Sequence, residues 1–312
     1  RNVYRKVTRK IYDFSPEQMH NLAAIVWLYR GQRERFLGLV KDYLGRVCAE
    51  SAAIPAALAP FEGTLADLRG RFDVLADAVA KHADVGAEKK QALADAVIEL
   101  REAATLYQRD GKKALDDITA YVSRHSGESR NPDNNAQRAA RKVFDPIAEA
   151  IRGLIKQVDL LYKLAARAAD LAADISLAPG NGGEGRGEGL PYDRRTTGRL
   201  VKQLDEQRKA AVEQLKHAAY FHRQVAWLQD RFPKADLEAV PGLVKLVDRK
   251  DIEAADWSLT TGRYVGVAPT EEDEDFDFEQ TLRDIHTELA DLNTEAAELA
   301  AKIQENFEEL GA

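Results

Sequence analysis

The sequence predicts a mainly α protein, built of long helical hairpins and coiled coils with a small irregular segment before a C-terminal coiled-coil helix. Three observations carry this. Charged residues make up 31% of the chain and are set among Ala and Leu, while aromatics are sparse at 7%, a bias toward long helices rather than sheets. Apolar residues recur at alternating steps of three and four over long stretches, the period of a helical stripe. Alternating strand–helix units, which would announce a nucleotide-binding sheet, are absent.

The opening RNVYRKVTRK holds five bases in ten residues. The stretch DFSPEQM then has the form of a helix start. Ser15 is placed as N-cap, Pro16 at the first helical position, and Gln18 completes a capping box. Phe14 and Met19 stand where a hydrophobic staple would sit. The helix is expected to run to about residue 50 with a kink at Gly31, and 1–50 forms the first segment. The next, 51–177, is a long helical and coiled-coil region. In it Leu65, Leu68, Phe72, Leu75 and Val79 form one stripe, and Leu93, Val97, Leu100, Ala104 and Tyr107 another. The turn DVGAE joins them into an antiparallel hairpin. A Ser/Asn/Gly/Pro-rich stretch, 124–135, breaks the pattern as a solvated insert. The longest seam follows: Ile147, Ile151, Leu154, Val158, Leu161, Ala165, Ala168, Ala172 and Ile175, a heptad pattern of about four repeats.

Residues 178–194 are rich in glycine, with Pro179 and Pro191, and read as a flexible linker. They follow a helix and lack a Gly-Lys-Ser/Thr ending, so they do not suit phosphate binding as a P-loop would. A helix at 195–231 turns Leu200, Leu204, Ala211, Leu215, Ala218 and Val225 inward. His217 and His222 lie five apart on it, off the i,i+4 spacing of a metal pair, and are expected on the surface or at the bundle edge. Residues 232–270 are loop-rich, with a short helix at about 248–255 and a short strand at RYVGV (263–267). The last segment, 271–312, is an acidic run followed by a coiled-coil helix. Its seam comprises Leu282, Ile285, Leu289, Leu292, Leu299 and Ile303.

Charge is unevenly spread. Residues 271–312 hold fifteen acids against two bases, a charge of −13, so the remainder carries +6 of the total of −7. A mildly basic body fits either nucleic acid nearby or ordinary solvated helix faces. Arg5, Lys6, Arg9 and Lys10 are the DNA-contact candidates. The single cysteine, Cys48, forms no disulfide within the chain and is expected as a buried structural thiol in a reducing, cytoplasmic setting. No apolar run approaches the ~18–20 residues of a membrane span. The sequence shows no metal-ligand cluster, nucleophile elbow or P-loop, so no catalytic, cofactor-binding or metal residue is assigned. The first residue is Arg rather than Met, so a fragment, a processed product or a broken reading frame is expected.

Two stretches resemble a known family. RNVYRKVTRKIYDFSPEQMHNLAAIVWLYRGQ (1–32) looks like the region after the catalytic domain in modification subunits of type I restriction-modification systems. Residues 240–311 resemble the C-terminal end of the same subunits. There the core is Trp257-Ser258-Leu259-Thr260 and then Gly262-Arg263-Tyr264-Val265-Gly266, and Trp257, Gly262, Arg263 and Tyr264 form its signature loop. Thr261 stands where many relatives have Pro. The family's methyl-donor and N-P-P-F/Y motifs have no match here; Asn131-Pro132-Asp133 is a superficial echo. The resemblance implies a parent DNA methyltransferase that carries a methyl group from S-adenosylmethionine to the N6 amine of adenine in DNA. Base extrusion would precede that transfer. This chain would then be the parent's C-terminal half, without the catalytic half and inactive alone. It would bind the specificity subunit in a complex with DNA, a second modification subunit and, where one exists, a restriction subunit. The last helix, whose acidic flanks disfavour self-pairing, would dock on the protein's own earlier helices or on the specificity subunit. The alternative is a free-standing coiled-coil scaffold.

Overall fold

The computed structural model describes residues 5–6, 12–83, 85–125, 133–176 and 190–268, together with Leu289, Ala296, Leu299, Ala300 and Lys302. The chain divides into two compact units, one dominated by residues 2–238 and one by 239–312. The mainly α class is as the sequence predicts.

The first unit opens on a two-residue antiparallel pair, β1 (Arg5–Lys6) and β2 (Tyr12–Asp13), with Arg5 opposite Asp13. Then comes α1 (Pro16–Tyr29). The capping box forms as expected: Ser15 Oγ accepts from the Gln18 amide at 3.2 Å, and the Gln18 side chain accepts from the Ser15 amide at 2.9 Å. Phe14 and Met19 are both largely exposed, so the staple positions are not buried. Gly31 does more than kink the helix. It takes a φ of +69°, which glycine adopts without strain, and the chain restarts as α2 (Arg33–Lys81).

At 49 residues, α2 is about 70 Å long. It passes through position 50 and through Pro55 and Pro60 without interruption. Each proline removes one helix hydrogen bond, a cost of about 3 kcal/mol in a helix interior. Both face solvent, while their neighbours Ile54, Leu58 and Phe61 are fully buried. Burial worth roughly 1.5–3 kcal/mol per large side chain offsets the loss.

Three more long helices complete a bundle: α3 (Ala87–His125), α4 (Asn134–Ser176) and α5 (Arg194–Arg231). Successive helices run antiparallel, as the register of their cross-contacts shows. Arg101 meets Asp73 and Tyr107 meets Glu62 between α2 and α3. Gln157 meets Asp110 and Arg167 meets Glu99 between α3 and α4. Arg208 meets Asp159 and His222 meets Asp145 between α4 and α5. The bundle closes where α5 lies along α2: Gln214 donates to the Glu50 carbonyl at 2.8 Å, and Phe232 packs edge-on against Phe36. This is up-down-up-down topology. Every member of the Ile147–Ile175 seam is buried, as are the inward residues expected for α5. Cys48 is buried too, and burial pushes its thiol above the usual range.

The second unit contains α6 (Arg249–Ala254) and α7 (Gly262–Val265). The strand expected at RYVGV is not one. Thr260 and Thr261 carbonyls accept from the amides of Arg263, Tyr264 and Val265, which makes a helical turn.

Candidate assembly surfaces

The signature loop is built from its own hydrogen bonds. Val240 and Val244 exchange backbone bonds at 2.8 and 3.0 Å across the turn at Pro241-Gly242, and the Gly242 amide donates to the Val265 carbonyl at 2.7 Å. Asp248 and Asp251 form a reciprocal capping box that starts α6. The helix ends when Asp256 and Trp257 take φ of +55° and +58°. Two consecutive non-glycine residues in the left-handed region are costly, and such strain clusters at functional sites. The Trp257 amide donates to Ile252 O at 2.9 Å, and the Arg249 guanidinium stands over the Trp257 ring at 5.6 Å. Arg263 donates to the Ala255 carbonyl at 3.1 Å, and Tyr264 Oη to the Ser258 carbonyl. Arg263, Tyr264 and Trp257 thus have visible structural roles. Gly262 has none, since a Cβ there would meet nothing within 4 Å.

This turn buries none of its own apolar residues on α6 or α7. Trp257 is 55% exposed, Leu259 81% and Val267 90%. The strained backbone therefore holds apolar side chains out to solvent, the arrangement of a contact surface.

At the other end of the chain, the backbone of Arg5 and Lys6 lies in β1, while Arg9 and Lys10 lie outside the described residues. Immediately after, α1 carries two apolar faces. Ala24 and Leu28 turn inward with Asn21 and are buried. Met19, Val26 and Tyr29 line the outer face and are largely exposed, with Leu22 half-buried between them. The outer set steps 3-4-3 beside the inner one, a pattern legible in the sequence but not read there. A polar cluster locks the inner side. Tyr220 Oη lies 2.7 Å from Ser15 Oγ and donates to Glu17 Oε2 at 2.9 Å; Tyr43 Oη donates to the Glu17 carbonyl at 3.1 Å. Burial raises the Glu17 carboxyl, but its backbone amide and the Tyr220 and Ser15 hydroxyls outweigh that and hold it below the usual range.

Of the C-terminal seam, Leu289 and Leu299 are helical and exposed. Leu282, Ile285, Leu292 and Ile303 lie outside the described residues.

Of the two histidines, His217 is exposed as expected, but His222 is not. Asp145 on the facing helix lies 2.8 Å from its Nε2, and the Phe144 ring lies tilted against it at 5.2 Å. That partner allows a polar ring inside the bundle, which position on one helix could not disclose. Burial lowers the His222 pKa and, with Arg141 and Arg152 adding to it, outweighs Asp145. The neutral ring therefore belongs to the folded state. Unfolded, the ring takes a proton near its ordinary 6.5; folded, it resists. Stability should be full above pH 6.5 and fall as the pH drops from there through the lower folded value. Glu17 acts in the same direction, in a separate window below its ordinary 4.5. Thermal melts at pH 7.5 and 5.5 should show a lower midpoint at 5.5, and His222→Gln should shrink that difference. An equal difference in the variant would remove His222 as the cause.

No family model, curated protein or solved structure matches this chain. Among the described residues, no three His, Cys, Asp or Glu side chains group as a metal site would, and no helix is long and apolar enough to cross a membrane. What the arrangement offers is surface: two apolar patches, at α1 and at Trp257–Val267, on well-packed or hydrogen-bonded supports.

Proposed function

We propose that this chain is the C-terminal assembly region of the modification subunit of a type I restriction-modification system, and that it docks on the specificity subunit. The observation that supports this best is the conformation of residues 256–265. The segment that carries the family resemblance adopts two strained left-handed residues, fastened by Arg263 and Tyr264, and presents Trp257 and Leu259 to solvent. A helical scaffold has no need of such a turn. On this reading the parent subunit methylates adenine N6 with S-adenosylmethionine, and this chain contributes the contact surface rather than the chemistry. On the same reading Arg5, Lys6, Arg9 and Lys10 are the residues proposed to meet phosphates in the assembled complex.

Changing Leu289 and Leu292 to Asp puts unpaired charge into the seam and should cost several kcal/mol of whichever contact it makes. The expected result is a chain that keeps its circular dichroism and melting temperature but no longer co-purifies with the specificity subunit. Earlier melting of the variant alone assigns the helix to an internal bundle, and undiminished co-purification removes the docking role.

A further inference from the structure

Helix α1 carries an apolar stripe that the bundle leaves bare. Met19, Leu22, Val26 and Tyr29 step 3-4-3 along it, and Tyr29 is 65% exposed while Asn21, on the inner side, is 3% exposed. A helix ordinarily turns such a stripe to the core and its polar side to water. The rotation that would bury it is blocked. Asn21 Nδ2 donates to Gln224 Oε1 at 2.7 Å, Tyr220 Oη to Glu17 Oε2, and Tyr43 Oη to the Glu17 carbonyl. Turning Met19 and Val26 inward would break all three bonds and strand their buried partners. From Gln18 to Tyr29 there is no Asp, Glu, Lys or Arg, so no charge interrupts the face. On α2 to α5 the large exposed apolar residues are Val74, Ile98, Leu106, Val143 and Leu160, and none has another three or four positions away.

The surroundings of this face have a sign. Residues 1–46 hold ten Lys and Arg against four Asp and Glu, a charge of +6, and residues 47–270 are balanced. The whole surplus of the body is therefore gathered in the segment that contains α1. Arg30 and Arg33 are exposed at its C-terminal end, and β1 with Arg5 and Lys6 precedes it. Its own acid, Glu17, is engaged by Tyr220 on the inner side.

We propose that the outer face of α1 is the docking site for an amphipathic helix of another protein, one whose apolar stripe is flanked by acids. The stripe of such a helix covers Met19, Leu22, Val26 and Tyr29, in the manner of helix-on-groove recognition. Its acids meet the cations around the face. A second copy fits poorly, because two such segments would set +6 against +6. At 14 residues, α1 is about 21 Å long, so the contact is small and the affinity expected is micromolar. The face needs no part of residues 256–312, so it stands apart from the restriction-modification reading.

The probe is a fluorescent 28-residue peptide of four heptads, with Leu at both seam positions and Glu on the flanks, titrated with the full chain to 200 µM. Binding should saturate, and weaken as salt rises from 50 to 300 mM. Val26→Glu should weaken it at least about tenfold, since it sets an acid against an acid-flanked stripe. The melting temperature should hold, because Val26 faces solvent. Should that variant unfold, Met19→Ser with Val26→Ser carries the measurement and should weaken binding likewise. Arg30→Glu with Arg33→Glu should weaken binding and flatten its salt dependence. The same peptide with Lys in place of Glu should not bind. Equal binding of the Lys-flanked peptide, no binding at 200 µM, or undiminished binding by the Val26 variants would each overturn the assignment. So would tighter peptide binding by Leu289→Asp with Leu292→Asp, which would make the chain's own last helix the occupant. A dimer in sedimentation that Val26→Glu dissociates would give the face to a second copy instead, and equally overturn it.

Discussion

Replacing Phe144 with Ala should lower the unfolding free energy by about 3–5 kcal/mol, the range for a large aromatic lost from a close-packed core. Phe144 is fully buried on α4. It joins three helices: its ring meets Tyr121 of α3 edge-on at 4.8 Å and His222 of α5 at 5.2 Å. Removal forfeits the apolar burial and the aromatic geometry, and it leaves a cavity between helices too long to collapse locally. The cavity also wets His222. Its ring should then titrate closer to 6.5 in the folded state, and the loss of stability between pH 7.5 and 5.5 should narrow. Urea unfolding at both pH values reads both effects. A loss under about 1 kcal/mol would show that Phe144 is not the joint between α3, α4 and α5.

Gly242→Ala should open the second unit while leaving the bundle's melting unchanged. Gly242 has a φ of +74°, and a Cβ there would lie 2.5 Å from the Ala268 amide nitrogen and 2.7 Å from the Ala268 Cβ. Neither neighbour is a flexible side-chain end that could step aside. The left-handed conformation alone costs Ala about 1–2 kcal/mol, and the clash adds to it. The bonds at risk are Gly242 N to Val265 O and the Val240–Val244 bridge. With no buried side chain on α6 or α7 to resist, opening should rise at least about 30-fold, read as faster hydrogen exchange at Val244. Gly266→Ala is the internal comparison. It shares a φ of +69° but faces open space, so it pays the conformational term alone. Equal exchange in the two variants would refute the close approach to Ala268.

Much of this architecture is legible in the sequence because period and burial are coupled. The Ile147–Ile175 seam, the α5 stripe and the DVGAE hairpin each present one apolar phase, and one phase means one buried face. The capping box at Ser15 is legible for a local reason, since all its atoms lie within four residues. What escaped reading depends on partners distant in sequence. Pro55 and Pro60 suggest nothing continuous until Phe61 and Leu58 are seen buried in the closed bundle. His222 looks like a surface histidine until Asp145 arrives from another helix. RYVGV has strand-like composition, yet its amides bond to Thr260 and Thr261. Of the candidate surface, the signature residues could be named but not their geometry, because a left-handed φ at Trp257 leaves no mark in residue type. The outer face of α1 was masked by overlap: two phases on one helix look like general hydrophobicity.

The closure of α5 onto α2 has a consequence for how the chain is made. On the ribosome α2 can pair with α3 and then α3 with α4, each step joining neighbours as they emerge. Phe36 and Tyr43 of α2, however, belong to a face whose cover is synthesised only after α3 and α4. At ordinary elongation rates of ~5–20 residues per second, that face waits roughly ten to forty seconds between its own appearance and the arrival of Phe221 and Phe232. During that interval an unfinished three-helix sheet of apolar side chains is open to chaperones and to other nascent chains. Nascent chains stalled within the glycine-rich stretch before Arg194 should be captured by a holdase, and those stalled far enough past Phe232 for α5 to clear the exit tunnel should be released.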